Sequence, residues 1–275
     1  MGSVTNMKND TAKIRAGIGG WTYEPWDQTF YPADLPKKNQ LNYASRQVTA
    51  IEINGTFYRL QKPAVFAKWR DDAPDDFAFS IKAPRYLTYR KVLSQAIDSV
   101  PKFLGSGLSE LQQKLGPILW QLPPALHFDA DDIGTFLQAL PSELEGLPLR
   151  HVLEVRHKTF MDAAYVELAK KHSVATVFAH TDEFPNFADV TADFVYARLR
   201  KAIATEPTGY SAADLQAWSK RAQLWASGGA PEDLPYVTDA KPPKKPRDVF
   251  IFFINGAKER APAAAQHLLK LLGAI

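Results

Sequence analysis

The chain has 275 residues, which is enough for one large α/β domain or two small ones. Hydrophobic residues make up 45% and charged residues 23%, an ordinary composition for a soluble globular protein. It has no cysteine, which excludes disulfides, thiolate zinc sites and cysteine nucleophiles, and we predict a cytoplasmic location. The formal net charge of +3 is small for a dedicated nucleic-acid binder, and no apolar run approaches the roughly 18 residues that span a bilayer.

Strand-like runs alternate with helical patterns along most of the chain. Residues 1–13 are polar and are predicted to form a disordered tail, whereas 14–275 are predicted to form a single domain. Strands are predicted at 14–19, 48–54, 77–83, 116–122, 149–157, 174–180, 194–200 and 248–255. Helices are predicted at 130–140, 162–173, 211–225 and 259–273, and Ser211 with Asp214 resembles a capping box.

This alternation implies parallel strands that are joined by crossover helices. Eight such units in 275 residues suit a closed (β/α)8 TIM-type barrel. A doubly wound open sheet is the alternative, but no G-x-G-x-x-G follows the first strand. Some barrel helices are predicted to be irregular, because the connections 83–116 and 200–211 are long and 181–190 lacks a helical pattern.

The two-residue period of the predicted strands places polar side chains inside the barrel, opposite an apolar outer face. The residues predicted to face inward are Glu52, Asn54, Ser80, Lys82, Gln121, Glu154, Arg156, Tyr196 and Arg198. Most of them lie near the C-terminal ends of their strands, where barrel enzymes build their sites. Thr56 follows the second strand and Asn255 ends the last one, so both are also predicted to line a pocket at the barrel mouth.

The predicted interior carries unequal charges. Glu52 and Glu154 face Lys82, Arg156 and Arg198, and Arg200 just beyond adds to the positive excess. An unpaired buried charge is costly, so the excess predicts a small phosphate- or carboxylate-bearing ligand. The alternative, which the sequence leaves open, is a purely structural ion network that sets the register of the strands.

Several collinear motifs resemble the domain of unknown function 72 family, the YecE-like proteins. They are "GIGGWTYEPWDQTFYP" (17–32), "IEINGTFYRL" (51–60), "FAFSIKAPRYLT" (77–88), "LGPILWQLPP" (115–124), "LEVRH" (153–157), "FVYARLR" (194–200) and "DVFIFFING" (248–256). The resemblance implies a TIM-type barrel with a polar groove at its C-terminal mouth and implies no particular reaction. The family usually has histidine where this chain has Tyr89, and histidine-glycine where it has Arg200 and Lys201.

Three residues are candidates for chemistry. Glu52 and Glu154 are predicted to be an acid/base pair, since unlike environments push two carboxyl pKa values apart; alternatively, both are salt-bridge acceptors. Lys82 is a candidate for Schiff-base formation or phosphate binding, with simple ion pairing to Glu52 as the alternative. No metal and no cofactor is predicted.

Two further readings concern other ligands. A metal-dependent, nuclease-like site would require Glu154, His157, His180 and Asp182, a weak pattern that is not favoured. The aromatic side chains at the predicted mouth either stack a base or sugar ring or close the loops over the core. They are Trp21, Tyr23 and Trp26 in the first loop and Phe57 and Tyr58 after the second strand.

We predict an enzyme that acts on a small anionic substrate by hydrolase or lyase chemistry, with a non-catalytic or nucleic-acid-binding module as the alternative. The predicted substrate-binding residues are Trp21, Tyr23, Asn54, Thr56, Tyr58, Gln121, Arg156, His157, Arg198 and Asn255. Membranes are not a predicted partner, and the sequence predicts no particular oligomeric state.

Overall fold

A computed structural model of the chain describes residues 12–275. Residues 1–11 of the predicted tail lie outside the described residues. Lys13, the last residue assigned to that tail, donates its backbone N–H to Asp248 Oδ1 at 2.9 Å. The described chain is therefore held to the last strand of the barrel from Lys13 onward.

Eight parallel strands close into a barrel, in which each strand is hydrogen-bonded to two neighbours. They are β1 (Ile14–Gly19), β2 (Ala50–Ile53), β3 (Ala78–Lys82), β4 (Leu115–Gln121), β5 (His151–Glu154), β6 (Ala175–His180), β7 (Phe194–Leu199) and β8 (Asp248–Phe253). Their spatial order follows the sequence, and β8 pairs with β1 to complete the ring. The predicted (β/α)8 barrel is confirmed and the open-sheet alternative is excluded.

Helices cover the outside of the barrel. They are α1 (Gln40–Ala44), α2 (Pro63–Asp72), α3 (Arg85–Thr88), α4 (Val100–Leu104), α5 (Ala130–Ala139), α6 (Ala163–Lys171), α7 (Ala212–Ala226) and α8 (Ala261–Leu271). Short 3-10 helices lie at Glu24–Trp26, Lys37–Asn39, Gly55–Phe57, Leu93–Ser99, Leu108–Lys114, Lys158–Phe160 and Lys258–Arg260. No helix among residues 12–275 is long and apolar enough to cross a membrane.

The irregular helices lie where the sequence predicted them. The connection from β3 to β4 contains two short α-helices and two 3-10 helices, and residues 181–190 form neither helix nor strand. The predicted capping box is also present, because Ser211 Oγ accepts a hydrogen bond from the backbone N–H of Asp214 at 3.1 Å. Helices α1, α2, α3 and α4 were not predicted. Four or five residues are too few to show a helical period in α1, α3 and α4, and α2 buries a single residue, Phe66, so it shows no apolar stripe.

The two faces of the strands separate into two cores, as the strand period predicted. Outward-facing residues such as Ile51, Ile81 and Leu153 pack against the helices. A second cluster fills the interior of the barrel with the side chains of Ala50, Ala78, Leu119, Val152, Ala175, Val177, Ala179, Phe194, Tyr196, Phe250, Phe252 and Ile254. The apolar interior cluster thus leaves the C-terminal end of the barrel to the polar residues.

One glycine is required by the closeness of two strands. A Cβ atom on Gly17 would lie 1.8 Å from the carbonyl oxygen of Ala50 on the neighbouring strand. No side chain fits at this distance, so Gly17 permits β1 and β2 to pair. The glycines that open the first motif therefore serve packing at Gly17, while Gly19 lies at the mouth.

Candidate functional site at the barrel mouth

A single guanidinium group bridges two carboxylates inside the barrel. Arg198 Nη2 donates to Glu52 Oε1 at 2.9 Å, and Arg198 Nη1 donates to Glu154 Oε2. Arg198 is 2% exposed, and neither glutamate is exposed at all. Strands β2, β5 and β7 are therefore joined at one level of the barrel by these three charges.

The remaining carboxylate oxygens also have partners. Tyr196 donates its hydroxyl to Glu52 Oε2 at 2.8 Å, and Arg156 Nε donates to Glu154 Oε1 at 2.9 Å. Arg156 Nη2 donates in turn to Gln121 Oε1 at 2.7 Å. Two carboxylates and two guanidinium groups thus balance each other. In the described part of the chain, Arg198 Nε is the buried nitrogen of this network without a partner.

The network keeps Glu154 ionised. Burial alone would raise the pKa of this carboxyl group, but the charges of Arg198 and Arg156 outweigh burial and lower its pKa to about 2. The two carboxylates likewise outweigh burial at Arg198 and raise the pKa of its guanidinium. A carboxyl group in this environment does not carry a proton near pH 7, so it has none to donate to a substrate.

A cavity of about 390 Å³ opens above the network at the C-terminal ends of the strands. Its lining consists of Gly19, Asn54, Phe57, Tyr58, Lys82, Tyr89, Gln121, Arg156, Arg198, Arg200, Phe253, Ile254, Asn255 and Lys258. Five of these residues are cationic, and no aspartate or glutamate of the described chain is among them. After the balanced network is set aside, Lys82, Arg200 and Lys258 remain as the positive excess.

Lys82 presents a buried amino group to this cavity. The residue is 9% exposed, and its Nζ lies 4.2 Å from the ring centroid of Phe57. None of the ion pairs found among residues 12–275 includes Lys82, so the alternative pairing with Glu52 does not form. Burial lowers the pKa of Lys82 to about 8, and the charge of Arg198 contributes to the decrease.

The other two excess cations lie nearer the rim. Arg200 Nη2 is 3.4 Å from Glu183 Oε2, but the Glu183 side chain is 68% exposed, so solvent screens this pair. Lys258 Nζ lies 4.5 Å from the ring centroid of Tyr23. Burial lowers the pKa of both Arg200 and Lys258. Neither cation has a buried carboxylate of its own, so both are available to an anion in the cavity.

The structure brings most of the predicted site residues to the mouth cavity or directly beneath it. Those that line the cavity are Asn54, Tyr58, Lys82, Gln121, Arg156, Arg198 and Asn255, with Glu52 and Glu154 directly beneath. Asn255 adopts a left-handed backbone conformation with φ of 66°, which ends the β8 register. Side-chain parity found Lys82, Gln121, Arg156 and Arg198, because the pleat of a strand dictates which face each residue occupies. Tyr58 was predicted instead as an aromatic residue of the loop after the second strand.

Four predicted substrate-binding residues do not line the cavity. Trp21 packs edge-on against Trp69 at 5.2 Å, and Tyr23 packs against Trp26 at 5.3 Å. These aromatic side chains close the first loop over the core. Thr56 and His157 are also engaged elsewhere.

Thr56 supports the site from behind. Its hydroxyl is buried and donates to the backbone carbonyl of Lys82 at 2.7 Å. His157 stacks on His127 at 3.8 Å between ring centroids, outside the cavity. Thr56 therefore positions the strand end that carries Lys82, and His157 has no contact with the charged network.

Sequence reasoning missed Lys258 and Tyr89 as lining residues. Both belong to loops or short helices, where no strand period indicates orientation. One signal was available, because Tyr89 and Arg200 are the two positions at which the resembled family usually has histidine. Both departures fall in the same cavity.

The structure does not assemble the alternative metal site. No group of three or more potential ligands that could hold a metal ion occurs among residues 12–275. His180 packs edge-on against Trp218 at 5.0 Å, and Asp182 forms an ion pair with Lys201 at 2.6 Å. Glu154 forms ion pairs with Arg156 and Arg198 instead of facing these residues.

A second, larger groove of about 800 Å³ lies beside α7 and the segment 228–244. No barrel strand contributes to its lining, and its Arg221 is already paired with Asp233 at 2.6 Å. Active sites of barrel enzymes lie at the C-terminal ends of the strands. The smaller mouth cavity is therefore the candidate site.

Comparison with known proteins gives the same family from sequence and from structure. Residues 15–275 match a family described as "Protein of unknown function DUF72". UPF0759 protein YecE of Escherichia coli (strain K12) is 29% identical over 148 residues, which are 54% of this chain and 50% of YecE. UPF0759 protein YunF of Bacillus subtilis (strain 168) is 21% identical over 173 residues, 61% of this chain and 59% of YunF. The chain thus spans about half the length of the curated relatives it matches.

The fold is shared with solved structures. The crystal structure of a DUF72 family protein from Thermotoga maritima MSB8 has a TM-score of 0.70 and 19% identity, covering 95% of this chain and 99% of that chain. A DUF72 family protein from Enterococcus faecalis V583 has a TM-score of 0.67 at 16% identity and covers 94% of this chain and 95% of that chain. At these identities the likeness shows a common fold.

Proposed function

The chain belongs to the DUF72 family, and from that premise we propose that it is a barrel enzyme that binds a small phosphate- or carboxylate-bearing substrate in the mouth cavity. The family description attaches no activity to its members, so the proposal rests on the site. The single observation that carries it is the lining of the cavity, which holds five cations and no carboxylate among residues 12–275.

An anion in this cavity relieves a real electrostatic cost. Lys82, Arg200 and Lys258 are partly desolvated by burial, and like charges in a low-dielectric space repel one another. A phosphate or carboxylate supplies the missing negative charge and accepts hydrogen bonds from ammonium and guanidinium donors. The neutral residues Asn54 and Gln121 offer further hydrogen bonds to a polar substrate.

Glu52 and Glu154 have a supporting role in this proposal. The sequence suggested an acid/base pair for hydrolase or lyase chemistry, but both carboxylates lie beneath the cavity lining and are saturated by arginine and tyrosine donors. We assign them to positioning Arg198 and Arg156 for the substrate. Lys82 then becomes the candidate catalytic residue, because its amino group faces the cavity without a carboxylate partner.

Calorimetric titration with inorganic phosphate tests the proposal. We expect saturable binding to the wild-type protein and roughly 10- to 100-fold weaker binding to Lys82→Met, since a charge-assisted hydrogen bond contributes about 1.5–3 kcal/mol. Affinity should decrease as the pH rises through about 8, because Lys82 loses its proton there. Lys68→Met is the matched control, since Lys68 is an exposed lysine paired with Asp72. Equal affinity of the Lys82 and Lys68 variants would refute the assignment.

A second candidate function is nucleic-acid binding, and one observation favours it. Tyr58 is 81% exposed at the rim of the cationic cavity, and the Arg85 guanidinium lies 4.9 Å from the ring centroid of Tyr89. Exposed aromatic rings beside cations stack bases of single strands. Fluorescence anisotropy with a single-stranded oligonucleotide separates the candidates. Affinity that falls by orders of magnitude between about 50 and 200 mM salt supports nucleic acid, whereas phosphate binding alone supports the first proposal.

A further inference from the structure

The position of Lys82 sets it apart from the other amino group in the cavity. Lys82 ends strand β3, so its backbone is fixed by the barrel and by the hydrogen bond from Thr56. Lys258 instead begins a 3-10 helix in a loop, and its Nζ lies against the rings of Tyr23 and Trp26. A group held on a rigid strand is the better placed of the two for chemistry on a bound molecule.

We propose that Lys82 forms a reversible imine with a small carbonyl compound that carries a carboxylate or phosphate group. This inference rests on the proposed anion site, because the anionic group must be held while the carbonyl carbon lies next to Nζ. Four lining cations remain when Lys82 is used for bonding. Arg198 is held by both buried glutamates, so Arg156, Arg200 and Lys258 are the cations assigned to the anionic group. The cavity of about 390 Å³ is of the size that small ligands occupy.

The surroundings of Lys82 provide the neutral amine that imine formation requires. Burial and the charge of Arg198 lower the pKa of Lys82 and outweigh the opposing charges of Glu52 and Glu154, neither of which forms an ion pair with Nζ in the described part of the chain. Because the pKa of Lys82 is about 8, about one-tenth of the amino groups are neutral at pH 7 and about half at pH 8. An ordinary lysine would be almost entirely protonated at both pH values.

The covalent step is balanced without any oxidant or reductant. The Nζ lone pair attacks the carbonyl carbon, a C–N bond forms, and the carbonyl π electrons move to oxygen. A proton passes from nitrogen to that oxygen to give a carbinolamine, which loses one water molecule to leave the C=N bond. The imine nitrogen then takes up one proton from solvent, and the protonated imine withdraws electrons from the neighbouring carbon–carbon bond, which is the electron demand of lyase chemistry.

Reductive trapping tests this inference on the wild-type protein. The protein is incubated with sodium cyanoborohydride and either pyruvate, a carboxylate probe, or dihydroxyacetone phosphate, a phosphate probe. We expect one reduced adduct per chain with at least one probe, and peptide mass mapping should place it on Lys82. The trapping rate should rise several-fold from pH 7 to pH 8, as the neutral fraction of Lys82 rises from about one-tenth to about half. Which probe reacts faster identifies the anionic group that the cavity prefers.

Matched variants and a competitor provide the controls. Lys82→Arg keeps the positive charge but cannot form the imine, so the adduct should be lost, whereas Lys68→Arg should be labelled like the wild type. Inorganic phosphate should slow trapping of the wild-type protein, a result that does not depend on any variant folding correctly. Labelling spread over surface lysines, or confined to Lys258, would overturn the inference.

Parallel calorimetry separates failure of the inference from failure of the proposed function. If phosphate binds to the same sample but neither carbonyl probe is trapped, the imine is refuted and the anion site stands. If phosphate does not bind and no adduct forms, both are refuted. Trapping on Lys82 that phosphate slows supports both.

Discussion

Replacing Arg198 with methionine is expected to lower the free energy of unfolding by roughly 3–5 kcal/mol or to prevent folding altogether. The substitution removes the cation that both buried glutamates share and leaves two carboxylates in a low-dielectric interior with only Arg156 as a charged partner. Chemical denaturation followed by circular dichroism measures the loss. Arg221→Met is the matched control, because the Arg221–Asp233 pair lies at the surface and should contribute less than about 1 kcal/mol.

The pH dependence of the Arg198 variant provides a second readout. In the wild-type protein the pKa of Glu154 is depressed, so its contribution to stability is present above pH 4.5 and is lost as the pH falls towards 2. Without Arg198 the pKa of this buried carboxyl should rise above its unfolded value, and the variant should gain stability as the pH falls from 7 to 5. An Arg198→Met protein as stable as the wild type at pH 7 would contradict the proposed network.

Replacing Glu154 with glutamine is expected to lower the free energy of unfolding by roughly 3 kcal/mol while making phosphate bind more tightly. The loss of stability follows because Arg198 and Arg156 each lose a fully buried ionic partner. The gain in affinity follows because the charge beneath the cavity becomes more positive by one unit. If Glu154 were instead a general acid or base that contacts the substrate, no such gain would be expected.

Glu183→Gln is the matched control for Glu154→Gln. Glu183 is also the carboxylate partner of a cavity arginine, Arg200, but it is exposed. Glu183→Gln should therefore change stability by less than about 1 kcal/mol. The difference in stability between Glu154→Gln and the wild type should narrow as the pH falls from 4.5 towards 2, since Glu154 is protonated first in the unfolded chain and then increasingly in the folded protein. Equal stabilities of the two variants at pH 7 would show that the burial of Glu154 has no energetic consequence.

The side of each strand that carries the site could be predicted from the sequence, because strand geometry dictates it. Glu52, Glu154 and Arg198 alternate with apolar neighbours, and a parallel barrel covered by helices leaves polar residues only the interior. The excess of positive charge was likewise visible from the residues that face inward. These inferences require only the two-residue period and the cost of burying an unpaired charge.

The pairing of the charges could not be predicted, because it depends on depth within the barrel. Parity places Glu52 and Lys82 in the same interior, but Glu52 bonds to Arg198 and Tyr196 instead and leaves the lysine without a carboxylate. Lys258 was missed because it follows the last strand in a loop. The complete burial of Glu52 and Glu154 beneath the cavity could not be predicted from the sequence either. Because they are buried, their assigned role changes from acid and base to the positioning of Arg198.

The location of a bound oxyanion shows whether the mouth cavity is an anion-binding site. Crystals of the wild-type protein, grown without phosphate or sulfate, can be soaked in tungstate, whose anomalous scattering identifies it. We predict a tungstate ion in the mouth cavity, within hydrogen-bonding distance of Lys82, Arg156 and Arg200. An empty cavity in crystals that bind tungstate only elsewhere, such as along the basic segment 241–247, would contradict the proposed anion site.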